Sequence, residues 1–539
     1  MLFLLYAALL ASVGYAANTP LPEKNHLKVD FSIVKDKPRT SSGTGVIGKL
    51  VGTNNYTEVP VLNMRYYYAA SLHVGSNANA IDVVLDTGSS DLWFMGSQVS
   101  CYSTAASRKR SLEDFPAFVH HTVLDFERAS STPTENNGKG GLAYNDETEN
   151  IVADVVSVNP SVCTSQGGSF NTASSSSFKV NSSAPAFDTS YVDGTFASGV
   201  WGTDYIAIGG LNISDVSFGV INNTTSTIGV FGIGFASSEN TNLAQYNPSK
   251  LYTYANFPLQ LKNKGVIKKV AYSLYLNSPS SLTGSVLFGA VDQSKYTGQL
   301  QTVPIINPNP QQYALPLGFS VVLNSIDLQG SSQDIPIFNT PIVAFLDSGS
   351  TRTSLPPSLV GTIAASLGGV MSSTGYYKIS CNYKITPTFL NFNFSGIRIS
   401  APLSDFIITD STGAYCFLGL LPLSTANPIA IVGDDLLRHA YVVYDLEAYE
   451  ISLAQVQYST FENIQVISGA VPSAVQASGY SSSSVSDYLP TNSAATLVPS
   501  STTTSSTHSH SNGAVFSKSC SFGKSLLGAV IGVCMILVL

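Results

Sequence analysis

Short apolar runs separated by turn-forming residues make up most of the middle of this chain. The runs are rich in Val, Ile, Tyr and Phe and are bounded by Gly, Asn, Pro and Ser, which is typical of β-strands joined by turns. The predicted strands cover residues 66–74, 80–85, 199–208, 271–276, 284–288, 342–346 and 441–444. One short candidate helix covers residues 359–367. The pattern therefore predicts an all-β fold with many turns.

Two segments depart from this pattern. Residues 103–150, between Cys101 and Cys163, are polar and charged, and predict a surface loop inserted into the folded part. Residues 469–512 are rich in Ser and Thr with scattered Pro, and such a sequence has too few apolar side chains to build a core. We predict that this second segment is a stalk of the kind that carries O-linked sugars.

The two ends of the chain carry targeting patterns. Residues 1–16 are apolar and end in small residues, which predicts a secretory signal peptide. The apolar run at 526–539 is shorter than the roughly 20 residues that a membrane helix needs, and it follows a spacer and three small residues that begin at Asn512. This is the pattern of a glycosylphosphatidylinositol attachment signal, with attachment at Asn512 and loss of residues 513–539. A tail-anchored protein is the alternative.

The composition argues against some classes of function. Only 11% of the 539 residues are charged, against about 25% in typical soluble proteins, and the net charge is −8. A nucleic-acid partner is not expected, because phosphate binding needs clustered Lys and Arg. No Cys or His cluster has the spacing of a metal site, so we predict neither a metal nor a cofactor.

The cysteines and the glycosylation sequons fit passage through the secretory pathway. Cys520 and Cys534 lie in the predicted anchor signal, which leaves an even number of cysteines in the mature chain and implies disulfides. Three pairings are possible, and we favour the sequential one, Cys101 with Cys163 and Cys381 with Cys416. Asn-x-Ser/Thr sequons occur at Asn55, Asn181, Asn212, Asn222, Asn223 and Asn393.

The strongest chemical signal is a repeated aspartate motif. Asp86-Thr-Gly and Asp347-Ser-Gly each follow an apolar run with the character of a buried strand. A single triplet of this kind would be an ordinary turn, in which Asp and Gly are common. Two further apolar runs that end in glycine, 228–234 and 429–433, follow the first and the second copy. The matched pairs indicate two lobes of one design, each of which supplies one aspartate.

Two carboxyl groups held a few Å apart have a recognised chemistry. They cannot both ionise easily, so they share one proton over a wide pH range. The ionised group can take a proton from a bound water while the protonated group hydrogen-bonds the carbonyl that the water attacks. We therefore predict hydrolysis at acidic pH by a water activated between Asp86 and Asp347. Gly88 and Gly349 would allow close backbone approach and an unusual φ, and Ser89 would hydrogen-bond Asp86.

The chain resembles the pepsin-like aspartic proteases over about residues 59–453. Segment 86–93, Asp-Thr-Gly-Ser-Ser-Asp-Leu-Trp, is similar to the first active-site signature of that family, and Tyr191-Val-Asp-Gly-Thr is similar to its flap hairpin. Further similar segments are 284–289, 431–434 and 444–445. The resemblance implies an all-β fold of two lobes, here residues 40–265 and 266–468, with an active-site cleft between them.

Several side-chain roles follow from this resemblance. The hydroxyl groups of Thr87 and Ser348 would hydrogen-bond across the interface between the lobes. Tyr191 would close over the substrate from the flap, with its hydroxyl against Trp93. Asp193 would face a Lys or Arg side chain just before the scissile bond and so favour basic substrates. An ordinary turn aspartate before a glycine is an equal alternative for Asp193.

The closer similarity is to the yapsins, which are anchored aspartic proteases of the yeast cell surface. It rests on the Asp347-Ser-Gly motif, the insertion between the first two cysteines, the Ser/Thr-rich stalk and the anchor signal. The resemblance implies cleavage after Lys or Arg in secreted and cell-wall polypeptides. It also implies a pro-segment at about residues 17–39 that is removed on maturation.

Processing and two rival functions stay open. Lys109-Arg110 inside the insertion is either a cleavage site, which would give a two-chain enzyme, or a solvated basic loop. Without that cleavage we expect a monomer. The rival functions are a broad-specificity secreted aspartic protease and a pepsin-like cell-wall protein without catalysis. The presence of both aspartates argues against the second rival.

Overall fold

The computed structural model describes residues 25–35, 66–104, 155–191, 195–242, 252–310, 313–330, 334–373, 375–410, 412–423 and 428–481. The strands of the first half are β1 (Leu27–Lys35), β2 (Tyr66–Val74), β3 (Asn79–Asp86), β4 (Leu92–Thr104), β5 (Val155–Val158), β6 (Lys179–Val180), β7 (Phe187–Ser190), β8 (Phe196–Ile208), β9 (Leu211–Thr224) and β10 (Gly229–Gly232). Those of the second half are β11 (Ala271–Tyr275), β12 (Thr283–Phe288), β13 (Ala290–Asp292), β14 (Tyr296–Pro304), β15 (Ser320–Leu323), β16 (Ser325–Gln329), β17 (Asp334–Phe338), β18 (Ile342–Leu346), β19 (Ser354–Leu355), β20 (Val370–Met371), β21 (Tyr377–Ile379), β22 (Phe389–Phe394), β23 (Ile397–Pro402), β24 (Ile407–Thr409), β25 (Cys416–Leu418), β26 (Leu421–Pro422), β27 (Ile429–Val432), β28 (Ala440–Asp445), β29 (Glu450–Val456), β30 (Ile464–Val466) and β31 (Ala474–Gln476). Each strand predicted from the sequence is present, and the all-β prediction is confirmed.

Helices within these ranges are short. They are α1 (Ser161–Thr164), α2 (Phe257–Asn263), α3 (Pro357–Ser366) and α4 (Asp434–Leu437), with 3₁₀ turns at Thr172–Ser174, Ala236–Ser238, Asn240–Asn242, Cys381–Lys384 and Leu403–Phe406. The predicted helix at 359–367 is α3. α3 begins at a proline. Proline suits the first turn of a helix, because the backbone N–H groups of that turn have no acceptor within the helix and the one that proline lacks is not missed. Within the described part of the chain, no helix is long and apolar enough to cross a membrane.

One large sheet runs through both halves of the molecule. Its strand order is β31-β14-β29-β28-β11-β12-β1-β2-β3-β10-β4-β9-β8-β6. β1 lies at the boundary between the two lobes, where it pairs antiparallel with β12 of the second lobe and with β2 of the first. Its Val29 and Phe31 are buried while Asp30 between them is exposed, as the alternation of a strand requires. β1 therefore connects the two lobes through backbone hydrogen bonds.

β1 also bears on the predicted pro-segment, because it lies inside residues 17–39. Cleavage on its C-terminal side would leave the strand held to the sheet by hydrogen bonds and packing alone. Phe31 packs edge-on against Tyr68 of β2, with ring centroids 5.1 Å apart, and Lys28 forms an ion pair with Glu462 at 2.7 Å. The pro-segment boundary itself stays a prediction.

The two aspartate motifs stand at the ends of equivalent strands. β3 leads to Asp86 and pairs in parallel with β10, and β18 leads to Asp347 and pairs in parallel with β27. The pairing continues past the strands, since Ile233 N–H donates to Asp86 O and Asp347 N–H donates to Val432 O, both at 3.0 Å. The repeated apolar runs of the sequence are therefore the partners of the aspartate strands, and the two lobes share one design.

Two disulfides join the pairs of cysteines that are sequential in the chain. Cys101 is bonded to Cys163 and Cys381 to Cys416, so the favoured pairing is confirmed. The first bond connects β4 to α1 and closes the insertion, whose residues 105–154 lie outside the described residues. The second connects a 3₁₀ turn to β25.

The folded second lobe extends beyond residue 469, into the segment predicted to be a stalk. β31 pairs in parallel with β14, and Val471 and Ala477 on either side of it are buried. Ala477 N–H also donates to Thr302 O at 2.9 Å. The predicted boundary between lobe and stalk at residue 468 is therefore wrong. The average composition of residues 469–512 is that of a stalk, but a few apolar side chains at its start are enough to cover the edge of the sheet. The rest of the predicted stalk, beyond residue 481, lies outside the described residues.

Truncation of the chain tests this boundary. A protein that ends at residue 468 lacks β31 and the burial of Val471 and Ala477. We expect it to be about 2–4 kcal/mol less stable than a protein that ends at residue 481, from the apolar area lost. The measurement is the free energy of unfolding in urea for both proteins. Equal values would contradict the assignment of residues 469–481 to the folded lobe.

Candidate active site

Asp86 and Asp347 meet where the ends of β3 and β18 come together. The two residues are 0% and 3% exposed, and their carboxyl groups lie within hydrogen-bonding distance of each other. Gly88 N–H donates to Asp86 Oδ1 at 2.8 Å, and Gly349 N–H donates to Asp347 Oδ1 at 2.9 Å. The two motifs thus hold their carboxyl groups in the same way.

A serine hydroxyl lies beside each carboxyl group. Ser350 Oγ donates to Asp347 Oδ2 at 2.7 Å. Ser89 Oγ is buried beside Asp86 but forms no hydrogen bond with the other described residues, so the predicted hydrogen bond to Asp86 is not present. The sequence points to Ser89 but not to Ser350. The signal for Ser350 is its position, since both serines stand three residues after their aspartates.

Close approach of the two motifs explains their glycines. A Cβ atom on Gly88 would lie 2.5 Å from Asp347 Oδ1, and one on Gly349 would lie 2.6 Å from Asp86 Oδ1. Neither glycine has a positive φ, so the predicted unusual φ is wrong. Space for the opposite carboxyl group, rather than backbone conformation, is what requires glycine here.

Thr87 and Ser348 tie the two lobes together beneath the carboxyl groups. Ser348 N–H donates to Thr87 Oγ1 at 2.9 Å, and Thr87 N–H donates to Ser348 Oγ at 3.1 Å. Each hydroxyl then donates across the interface to a strand carbonyl, Thr87 to Leu346 O and Ser348 to Leu85 O, both at 3.2 Å. The buried hydroxyl and N–H groups are therefore paired with the opposite lobe, as the resemblance implies.

Burial controls the protonation of the aspartate pair. It raises the pKa of Asp86 well above the usual value, and the neighbouring charge of Asp347 raises it further. Burial also raises the pKa of Asp347, while the hydrogen bonds from Ser350 and Gly349 act in the opposite direction. Since two close buried carboxylates repel each other, the pair retains one proton well above the pH at which a free aspartate ionises.

Tyr191 and Trp93 meet at the base of the flap. Trp93 Nε1–H donates to Tyr191 Oη at 2.6 Å, and the two ring centroids lie 6.2 Å apart. Tyr191 N–H donates to Thr195 O at 2.8 Å, which closes the hairpin between β7 and β8. The predicted contact between the flap tyrosine and the tryptophan of the active-site signature is therefore present.

Several predicted sites lie outside the described residues: Asn55, Lys109, Arg110, Asp193, Asn512, the signal peptide and the anchor signal. Among the remaining sequons, Asn212 and Asn222 are exposed, whereas Asn181, Asn223 and Asn393 are half-buried.

Asp434, the first residue of α4, is an acid near the aspartate pair for which the sequence predicts no role. It is fully buried, and its carboxyl group forms no hydrogen bond with the other described residues. Burial raises its pKa well above the usual value; the charge of Arg438 opposes this, and the charges of Asp347 and Asp435 add to it. Asp434 is therefore neutral at acidic pH. An aspartate that directly follows an apolar run and Gly433 is the signal that would have found it.

The sequence of the folded part is similar to those of known proteins. The family model for eukaryotic aspartyl proteases matches residues 67–456. Aspartic proteinase 3 of Saccharomyces cerevisiae is 41% identical over 79% of this chain and 76% of its own length. Aspartic proteinase yapsin-3 of the same yeast is 38% identical over 85% of this chain and 78% of its own length. Secreted aspartic protease 9 of Candida albicans is 33% identical over 83% of this chain and 88% of its own length.

Substitution of Ser348 tests the tie between the lobes. Ser348→Ala leaves Thr87 N–H without its buried acceptor and Leu85 O without its donor. We expect the free energy of unfolding in urea to fall by about 1–3 kcal/mol, the penalty of unsatisfied buried groups. Ser348→Thr is the matched control, because threonine performs the same role at position 87. A Ser348→Ala protein as stable as the wild type would contradict the assignment.

Proposed function

This chain belongs to the eukaryotic aspartyl proteases and is an aspartic endopeptidase, and we propose that Asp86 and Asp347 are its catalytic residues. The observation that carries the proposal is the meeting of two buried carboxyl groups at the ends of equivalent strands. Each group is held by a glycine N–H and lies beside a serine hydroxyl. The Thr87–Ser348 contacts fix the distance between them.

The proposed reaction uses a water molecule bound between the carboxyl groups. The ionised carboxylate takes a proton from the water as its oxygen attacks the peptide carbonyl carbon. The protonated carboxyl group hydrogen-bonds the carbonyl oxygen and stabilises the charge that develops there. The tetrahedral intermediate then loses the amine, whose nitrogen receives a proton from the pair. The neighbouring residues of the two motifs support this arrangement: Thr87, Gly88, Ser89, Ser348 and Gly349.

We propose that the substrates are polypeptides cleaved after Lys or Arg, in secreted or cell-wall proteins. The support is the resemblance to yapsins and the place of Asp193 in the sequence, two residues after Tyr191. A carboxylate there would bind a substrate cation by a charge-assisted hydrogen bond. Broad specificity for apolar residues is the alternative.

We further propose that the chain is delivered to the outer cell surface, glycosylated and held there by a lipid anchor at Asn512. The signal-peptide pattern, the anchor signal and the exposed sequons Asn212 and Asn222 support this location. Lys109-Arg110 in the insertion would be a processing site, with the disulfide between Cys101 and Cys163 holding the two chains together.

Asp347→Asn tests the catalytic assignment. We expect kcat/KM for a fluorogenic peptide containing Lys-Arg, measured at acidic pH, to fall by about 10³-fold or more, since one positioned acid–base group contributes about 10²–10⁴-fold. Asp334→Asn is the control, because Asp334 is an exposed aspartate of the same lobe, with 47% of its side chain accessible. Equal rates for wild type and Asp347→Asn would favour the non-catalytic rival.

Asp193→Asn tests the basic preference. We expect kcat/KM for the Lys-Arg peptide to fall by about tenfold or more, because a charged hydrogen bond is worth about 1.5–3 kcal/mol. For the same peptide with Ala-Ala in place of Lys-Arg, kcat/KM stays unchanged. Asp188→Asn removes a charge from β7 of the same hairpin and serves as the control. If wild type cleaves both peptides equally, the basic preference is wrong and the broad-specificity alternative stands.

A further inference from the structure

A network of buried polar groups lies behind the active-site motif. Asp91, which follows Asp86 by five residues, and Glu239, in the turn after β10, are 8% and 1% exposed. Burial raises the pKa of Asp91 to about 6, and burial together with the charge of Asp91 raises the pKa of Glu239 to about 10. None of the ion pairs within the described residues includes either side chain. The reaction proposed above makes no use of this network.

Two neighbours fix the carboxyl group of Asp91. Tyr254 Oη–H donates to Asp91 Oδ1, and the backbone N–H of Asn240 donates to Oδ2 at 2.9 Å. Tyr254 N–H also donates to Glu239 Oε2 at 3.3 Å. Asp91 therefore determines where the turn Asn240–Asn242 lies relative to the active-site motif.

The side chain of Asn240 extends the network to the flap. Its Nδ2 group donates to the carbonyl oxygen of Asp188 in β7, the strand that leads directly into Tyr191. Asn240 is 1% exposed, so bulk solvent cannot replace this hydrogen bond. The first strand of the flap is thus connected to the active-site motif through one side chain.

Aromatic packing supports the same strand by a second route. The ring of Phe187, the first residue of β7, lies 4.9 Å from the ring of Trp201, which in turn lies 4.9 Å from the ring of Tyr254. Tyr254 carries the hydroxyl group that binds Asp91. The polar route and the aromatic route from β7 therefore both end at Asp91.

We propose that Asp91 is a positioning residue for the flap: by fixing Asn240 and Tyr254, it holds β7 where Tyr191 can close over the substrate. A carboxyl group suits this role, because its two oxygens accept hydrogen bonds from two separate segments of the chain. Only one part of this inference, the role of Tyr191 in closing over the substrate, rests on the proposed function. Loss of the link loosens the flap and weakens substrate binding, while the catalytic pair stays intact.

Asn240→Ala tests the link, because it removes the contact to β7 and keeps the backbone contact to Asp91. Thr241→Val is the matched control: Thr241 lies in the same turn, is 1% exposed, and its Oγ1 donates to Tyr252 O at 2.5 Å rather than to the flap. The readouts in the full-length protein are hydrogen exchange of the β7 backbone amides, and kcat and KM for a peptide that spans the cleft.

For Asn240→Ala we expect β7 exchange and KM to rise by about fivefold to tenfold with kcat within about twofold of wild type, as for loss of one buried hydrogen bond that contributes to binding. Thr241→Val leaves β7 exchange and KM close to wild type. If the two variants exchange equally in β7, the link is overturned.

A double-variant comparison tests whether Asp91 acts through Asn240. Asp91→Asn keeps one acceptor oxygen and loses the other, so it also speeds β7 exchange. In the double variant Asp91→Asn/Asn240→Ala, we expect the exchange rate of the β7 amides to rise by less than the product of the two single-variant increases. An increase equal to that product would overturn the role of Asp91. Tyr254→Phe replaces Asp91→Asn if that variant does not fold. Exchange requires no turnover, so an inactive wild type would overturn the proposed function and leave this test valid.

Discussion

Two carboxylates held against each other in a buried site repel strongly, because their charges are poorly screened away from water. Asp86 and Asp347 stay together because each is held by hydrogen bonds from its own lobe and because Thr87 and Ser348 tie the lobes at the same point. The repulsion falls when the pair holds one proton. The contacts that fix the geometry therefore also set the protonation state on which the proposed reaction depends.

The rest of the fold keeps these two carboxyl groups close together. β3 and β18 end at the aspartates, and each is locked by a parallel partner, β10 or β27. The sheet is continuous between the lobes through β1, whose neighbours are one strand of each. A site built from two lobes needs such a connection, since a small displacement of one lobe would separate the carboxyl groups that both motifs are shaped to hold close.

Features with a local signal could be predicted from the sequence, and contacts between distant segments could not. Each strand carries its own apolar pattern, and the two aspartate motifs are recognisable because both follow strands. By contrast, Asn240 and Tyr254 reach Asp91 only through the fold, and neither has a local pattern that distinguishes it from a loop residue. The motifs themselves point to Gly88 and Gly349, but the reason for glycine, space for the opposite carboxyl group, depends on the other motif. β31 was missed because it occupies the first part of a segment judged by its average composition.

The proposed reaction requires that Asp86 and Asp347 share one proton. The direct measurement is a proton-difference titration between the wild-type protein and the double variant Asp86→Asn/Asp347→Asn. We expect the pair to lose its two protons in two separated steps, with a range of pH between them in which one proton stays bound. Loss of both protons together near about pH 4, the value for independent aspartates, would contradict it.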